Sequence, residues 1–409
     1  MKNLEKFLQK NWYWLVPGVF ILSLGIRLVY VFYVRGQAAV WEGDEGFFGQ
    51  IAENIVQGHG YLYRGSFYTS RMPLMPIVTA LFSFLTGGFS IVKAHIFGAL
   101  LGSLIPLAAI FCAWTLTQSA LVALGAGVYT ALYPFFIHEA SFLDTENLFI
   151  PLFLVYVAVL YRLKQTASVR DFILPGILLG LMTLTRPTLS LFLGFYAVYL
   201  LLQKWSLQKI MLNVLVQGVC LVLLLAPWSY ALSQHVGKLC VLTSGTNAAM
   251  IGGTNPVVLF DKNAAGEWVN LGRDFPEVEK QIEVLAPGKS EFGKVLVIMQ
   301  TYPTESVLLM GQKLKKLWGY SPKHYSNRNM RDDVIGFLAY GLLLPFVFIA
   351  LVERKHSGVV DIFWIFAAYF SFMTLLTSGT MRFRLPLDAL MIIMVLHYLL
   401  VVKGKKKYV

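Results

Sequence analysis

The chain has 409 residues, of which 57% are hydrophobic and only 14% charged, a balance that excludes an ordinary soluble domain. Its net charge of +12 does not point to nucleic acid, because Lys and Arg lie in short loops between apolar runs and not on one basic face. Three cysteines, Cys112, Cys220 and Cys240, lack paired spacing, which leaves no disulfide framework and no thiolate metal site.

The elements follow from the apolar runs. Lys2, Lys6 and Lys10 precede a stretch that continues to Val34 without a small-residue cleavage site, so it reads as a retained first span. A helix crosses the hydrocarbon core with about 20 apolar residues, and the sequence offers about ten such stretches. They are Trp14–Val34, Ile91–Ala113, Ala120–Phe136, Thr145–Tyr161, Phe172–Thr185, Thr188–Leu202, Ile210–Ala231, Val334–Val352, Val359–Thr377 and Leu385–Val402. The expectation is an all-α polytopic membrane protein. The fifth and sixth spans are short and meet at Arg186 and Pro187, where one broken helix is the competing reading.

Basic clusters set the orientation. The N-terminus, Arg162 to Arg170, Lys204 to Lys209, Arg354 with Lys355, and the tail KGKKKYV all fall on one side if the spans alternate, and that side is the cytoplasm. The segments 35–90, 134–144, 233–333 and 378–384 are then external. In the first, Phe47, Phe48, Ile51 and Ile55 recur at helical spacing and predict an amphipathic helix on the membrane surface, ended by Gly58 and Gly60. Pro73 to Thr86 reads as a second interfacial helix. The larger loop before the last three spans carries turn signals such as GGTNP and helix-like stretches at Glu277 to Leu285 and Phe292 to Leu317. Three segments result: a transmembrane core, 1–232, containing the first external loop 35–90; an external region, 233–333; and the last helices with a basic cytoplasmic tail, 334–409.

Ionisable groups cluster at the outer span ends: Asp44 with Glu45, Arg71, Asp144 with Glu146, and Arg186 with Arg382 and Arg384. Charge near a membrane is costly and therefore usually functional. Carboxylates that accept a proton, beside arginines that fork onto phosphate oxygens, suit a substrate carrying a phosphate and a nucleophilic hydroxyl. Arg382 and Arg384 defy the positive-inside pattern, and their spacing lets both face one way in an extended loop, so a lipid-carrier phosphate is the expected partner. The plainer alternatives are Asp44 and Asp144 as helix caps, Glu45 as electrostatic support for a helix N-terminus, and the arginines as headgroup anchors or partners of Glu139. His59, His95 and His138 lack ligand spacing, and Trp and Tyr near span ends read as membrane anchors.

The ordered motifs carry a resemblance. Asp44 and Glu45 after the first span, IAENIVQGHGY, SRMPLMP at Ser70 to Pro76, TENLFIPL at Thr145 to Leu152, LTRPT at Leu184 to Thr188, APWSY at Ala226 to Tyr230 and RFRLPLD together resemble the C-type membrane glycosyltransferases related to protein O-mannosyltransferases and aminoarabinose transferases. The resemblance implies a GT-C fold and transfer of a hexosyl or pentosyl unit from a polyprenyl-phosphate donor to a hydroxyl acceptor, whether lipid, glycan or protein. It places an inverting reaction on the outer face of the plasma (inner) membrane. Asp44 takes the role of base. Glu45, Arg71, Asp144, Glu146, Arg186, Arg382 and Arg384 become substrate-binding candidates, and Asp144 with Glu146 resembles a pair that holds magnesium or manganese in oligosaccharyl transferases. Ala231 follows Tyr230 where the family pattern suggests an Arg-Asn pair, so a phosphate contact from that position is not expected. No soluble domain is recognisable after the last span, which leaves acceptor choice to the loops. The alternative function is a transporter or flippase of lipid-linked sugars, disfavoured because the mid-span regions are nearly uniformly apolar.

Overall fold

The computed structural model describes residues 2–34, 44–163, 168–320, 330–353 and 358–402. The charges at Lys164, Arg354, Lys355 and in the KGKKKYV tail, used above for orientation, lie outside the described residues. Among the described residues the chain is helical apart from one two-stranded hairpin.

Packing divides the chain into two units, residues 1–242, 346–365 and 385–409 in one and 243–345 with 366–384 in the other. This differs from the three-segment division by hydropathy. Residues 243–345 group with residues 366–384, so the last apolar stretches contribute to both units.

In the first unit the helices are α1 (Lys2–Lys10), α2 (Trp12–Val29), α3 (Glu45–Val56), α4 (Leu74–Leu85), α5 (Ile91–Gly102), α6 (Leu104–Thr117), α7 (Ala120–Leu132), α8 (Pro134–Glu139), α9 (Glu146–Arg162), α10 (Ile173–Thr185), α11 (Phe192–Leu202) and α12 (Leu207–Val236). The second begins with α13 (Gly245–Gly253), α14 (Pro256–Phe260), α15 (Leu271–Asp274), α16 (Pro276–Leu285), α17 (Glu291–Thr301), α18 (Pro303–Trp318) and α19 (Met330–Gly336), and α20 (Leu344–Val352), α21 (Gly358–Leu376) and α22 (Leu385–His397) complete the chain.

Among the described residues, five stretches are long and apolar enough to cross a membrane: Trp12–Tyr33, Ile91–Thr117, Leu207–Val236, Met330–Val352 and Val359–Leu376. The other expected spans are shorter helices, and prolines explain two of the breaks. Tyr133 before Pro134 is extended, with φ −67° and ψ 117°, which ends α7. Arg186 before Pro187 is extended as well, with φ −147° and ψ 133°, so the fifth and sixth stretches are separate helices. Likewise Pro303 splits the stretch from Phe292 to Leu317 into α17 and α18.

Small residues bring helices close. Gly176 and Gly180 lie one turn apart on α10, facing α12. A Cβ on Gly176 would come within 2.9 Å of the Gln217 Cα and 2.8 Å of the Cys220 Cβ, so glycine is what permits this approach.

The first-loop helix forms as the periodicity predicts, and Gly58 and Gly60, at φ +80° and +88°, follow its end. Its apolar face has a different partner from the one expected. Phe48 is buried with Met75 of α4, Phe97 and Leu101 of α5 and Leu143, so this face meets protein, not lipid. α4 leaves Ile77, Leu81, Phe84 and Leu85 exposed instead.

Candidate active site

The site lies in the first unit, where three connections converge. α3 starts at Glu45, whose carboxylate is fully buried and accepts hydrogen bonds from His95 Nε2 on α5 and from the Leu143 amide, both at 3.1 Å. Leu143 and Glu45 are the chain neighbours of Asp144 and Asp44, so this one carboxylate ties together the two segments that carry them. A buried carboxylate needs such partners, since an unpaired one would be strongly destabilising. Glu45, expected as a substrate-binding candidate, is thus enclosed within the protein. His95, read as an interfacial hydrogen-bonding residue, is the buried partner of this carboxylate.

Asp44 differs from its neighbour. Its carboxylate is 38% exposed and lies 3.1 Å from the Arg71 guanidinium, itself 41% exposed. It makes no cap bond to the first amides of α3, which removes the capping explanation for this residue. Arg71 stands at the entrance of α4 with its guanidinium 6.0 Å from the centre of the Phe47 ring. Around the pair, Phe47 stacks on Tyr68 with centroids 5.2 Å apart, and Tyr63 meets both rings. Burial, with a smaller contribution from Asp44, pushes the Tyr68 phenol above its ordinary range against the opposing pull of Arg71, so it remains a neutral hydrogen-bonding group.

A hairpin that the sequence reading did not identify carries Tyr63 and leads directly into Tyr68. Leu62–Tyr63 pairs antiparallel with Ser66–Phe67 through a tight turn at Arg64 and Gly65, at φ +50° and +79°. Positive φ at both turn residues is what a two-residue hairpin requires, and Gly65 adopts it without steric cost. Asn54 of α3 ties the hairpin down by donating to the Leu62 carbonyl at 2.9 Å. The signal was present as Tyr-Arg-Gly-Ser between apolar residues, but each strand is two residues long and shows no alternation.

The second acidic position is more enclosed. Asp144 and Glu146 are buried, and Thr145, not Asp144, stands at the helix cap, donating its hydroxyl to the Glu146 carboxylate at 3.1 Å. Glu146 also pairs with the Arg186 guanidinium, which the extended pre-proline backbone delivers from the end of α10. Glu139, at the end of α8, joins them: one carboxylate oxygen from each of Glu139, Asp144 and Glu146 can be chosen with all three within 4.8 Å of one another. Three convergent carboxylates fit a hard divalent cation such as magnesium or manganese, with waters or substrate oxygens completing the shell. Sequence spacing pointed to two of these ligands. The third is brought back by the turn of residues 140–144, which Asn147 closes by donating to the Glu139 and Phe142 carbonyls at 3.0 and 2.9 Å.

Arg382 and Arg384 belong to the second unit. Arg384 is fully buried, donates to the Leu317 and Gly319 carbonyls and lies 3.4 Å from the centre of the Tyr340 ring. The two arginines of the expected phosphate clamp therefore differ in setting, one guanidinium being enclosed beside carbonyls and a ring. Arg382 lies in a short turn capped by the Thr380 hydroxyl and is only half-buried.

Residues 70–230 match the dolichyl-phosphate-mannose-protein mannosyltransferase family, and this stretch contains Arg71, Asp144, Glu146 and Arg186. No curated protein matches the sequence. Among solved structures the fold is similar to the archaeal oligosaccharyltransferase AglB from Archaeoglobus fulgidus in complex with an inhibitory peptide and a dolichol-phosphate, at 12% identity and a TM-score of 0.54, over 98% of this chain and 52% of that one. The same archaeal enzyme tethered to an acceptor peptide gives 13% identity and a TM-score of 0.57, over 98% and 51%. ArnT from Cupriavidus metallidurans bound to undecaprenyl phosphate aligns at 15% identity over 93% of this chain and 77% of that one, with a TM-score of 0.48. The chain spans about half the length of the archaeal enzyme. The stretch around the acidic site thus matches the mannosyltransferase family, and the polytopic helical fold is similar to that of the archaeal oligosaccharyltransferase.

Proposed function

We propose that this protein transfers a sugar from a polyprenyl-phosphate donor to a hydroxyl acceptor on the extracytoplasmic face of the plasma membrane, with inversion and with Asp44 as base. The observation that carries the reading is the contrast between Asp44 and Glu45: adjacent carboxylates, one buried as an anchor, the other open beside an arginine and an aromatic wall. The geometry suits the chemistry. Asp44 takes the proton from the acceptor hydroxyl as that oxygen bonds to the anomeric carbon, and the bond from that carbon to the phosphate oxygen breaks on the opposite side. Polyprenyl phosphate leaves as an acidic anion, so no general acid is required.

Arg71 holds Asp44 in place, and Arg186 supplies positive charge beside the carboxylate cluster. Glu139, Asp144 and Glu146 would hold a divalent cation, which when bound offsets negative charge on the departing phosphate. Phe47, Tyr63 and Tyr68 offer ring faces on which a sugar can rest.

The test begins with mass spectrometry of lipid copurified with the protein, which identifies the carried sugar. Transfer from that lipid is then followed with wild type and Asp44→Asn. The amide keeps the shape and loses the basicity, so turnover should fall at least about a hundredfold while the protein stays folded. Near-normal transfer by Asp44→Asn would remove Asp44 as the base.

A further inference from the structure

The first unit contains a buried cation that the transfer step does not use. Arg27, in the apolar stretch Trp12–Tyr33, is fully buried, and among the described residues no carboxylate pairs with it. Its Nη1 donates to the Ser23 hydroxyl and, at 3.2 Å each, to the Ser23 and Ala131 carbonyls. Ala131 lies in the last turn of α7, where carbonyls lack helical partners and a cation is favourable. The other edge of the guanidinium, Nε with Nη2, is buried and has no hydrogen-bond partner among the described residues. A charge held this way inside a membrane bundle is costly and marks a role.

The unpaired edge lies beside an unpaired acceptor. Asn147 is fully buried, and its Nδ2 donates to the Glu139 and Phe142 carbonyls, which leaves Oδ1 without a partner among the described residues. Both groups stand over Gly102 of α5: a Cβ built there would lie 3.2 Å from Asn147 Oδ1 and 3.3 Å from Arg27 Nε. Two N–H donors on one planar edge and an amide oxygen this close suit a single water molecule, which accepts from the guanidinium and donates to the amide.

Glycines bring the surrounding backbone close. Gly98 and Gly102 lie on one face of α5, and a Cβ on Gly98 would come within 2.6 Å of the Phe142 carbonyl oxygen, while one on Gly102 would come within 2.4 Å of the Ala140 Cβ. The turn of residues 140–144 therefore rests against bare backbone on one side and is held by the Asn147 amide on the other. Glu139, which precedes this turn, reaches Asp144 and Glu146 through it.

We propose that Arg27 is a positioning residue for the Glu139, Asp144 and Glu146 carboxylates: through one internal water it fixes the Asn147 amide, and Asn147 fixes the turn that delivers Glu139. The inference rests on the reading of those carboxylates as a divalent-cation site, and its test separates the two.

The purified full chain is titrated with manganese, the free ion being counted by its electron paramagnetic resonance signal, and amide exchange over residues 139–147 is followed by mass spectrometry. Arg27→Met should weaken manganese binding at least about tenfold while the unfolding temperature moves by less than about 3 °C, because an apolar chain of similar volume replaces an unpaired buried charge at little cost. The sign is diagnostic, since by Coulomb's law alone the loss of a cation from the same bundle would tighten manganese binding. Arg27→Lys keeps the charge and loses the planar edge, so it should weaken binding as well, by at least about fivefold. Asn147→Ala should weaken it at least as much as Arg27→Met, and the double variant no more than about threefold beyond Asn147→Ala alone, because both act through one amide. Exchange at Ala140, Ser141 and Phe142 should quicken at least about tenfold in each variant. Unchanged or tighter manganese binding in Arg27→Met, losses that simply multiply in the double variant, or unchanged exchange would each overturn the proposal. If the wild type binds no manganese, the cation reading falls, and the exchange measurement by itself decides whether Arg27 positions the turn. If Arg27→Met does not fold, Arg27→Lys carries the same comparisons.

Discussion

Glu45 offers a test in which structure and chemistry part company. Its buried carboxylate meets His95 Nε2 and the Leu143 amide through the same oxygen, each at 3.1 Å. Glu45→Gln keeps an acceptor of the same size there and removes the charge. Hydrogen bonds to a charged group contribute about 1.5–3 kcal/mol against about 1 for neutral ones, so two weakened bonds cost about 2 kcal/mol. Glu45→Leu removes the acceptor and leaves an imidazole and an amide buried without it, at about 1–3 kcal/mol each, for a loss of about 2–6 kcal/mol. Asp44→Asn should by comparison cost less than about 1 kcal/mol, because its ion pair is partly exposed and screened. Thermal unfolding of the purified proteins, followed by intrinsic fluorescence, ranks the three. The order should be Asp44→Asn nearest wild type, then Glu45→Gln, then Glu45→Leu, with amide exchange at Leu143 accelerating in the last two. If Glu45→Leu unfolds at the wild-type temperature and its Leu143 amide stays protected, the anchoring role is wrong and Glu45 must be reconsidered as a substrate group.

Four further outcomes are expected. Arg384→Lys should lower thermal stability by about 1–3 kcal/mol through its lost carbonyl bonds and ring contact, whereas Arg382→Lys should leave stability unchanged and weaken donor binding; normal donor affinity in Arg382→Lys would make it only an anchor. Thorough chelation should suppress transfer and added magnesium or manganese restore it, and full activity after chelation would take the ion out of the mechanism. Cysteines introduced at Lys280 and Lys209 should respectively react and not react with an impermeant thiol reagent on intact cells, while the reverse would put the site on the cytoplasmic side. Gly176→Val should destabilise the protein by about 1–3 kcal/mol, seen as a lower unfolding temperature, because its side chain would press on the α12 backbone at Gln217; an unchanged temperature would show that α10 and α12 do not need this close approach.

The helices themselves were legible along the chain because each rests on local chemistry. Apolar runs, prolines at breaks such as Pro134 and Pro187, and glycines after α3 act over a few residues and can be read without tertiary contacts. The acidic pair Asp44 and Glu45, with Arg71 and Arg186, was legible for a related reason: charge at the end of an apolar run is conspicuous.

What the residue order alone left undecided is which member of each group does what. Asp44 and Glu45 are interchangeable on paper, and only the packing of α3 against α5 and Leu143 buries one and opens the other. Arg382 and Arg384 read as equivalent forks until Tyr340 and the Leu317 and Gly319 carbonyls enclose the second. Glu139 joined Asp144 and Glu146 only through a turn closed by Asn147, and Arg27 was one charge in an apolar run until the packed helices placed it beside the Asn147 amide. The physical reason is common to all four. Periodicity and propensity are properties of neighbours along the chain, whereas exposure, desolvation and pairing depend on groups tens or hundreds of residues away, and those exist only once the helices have packed.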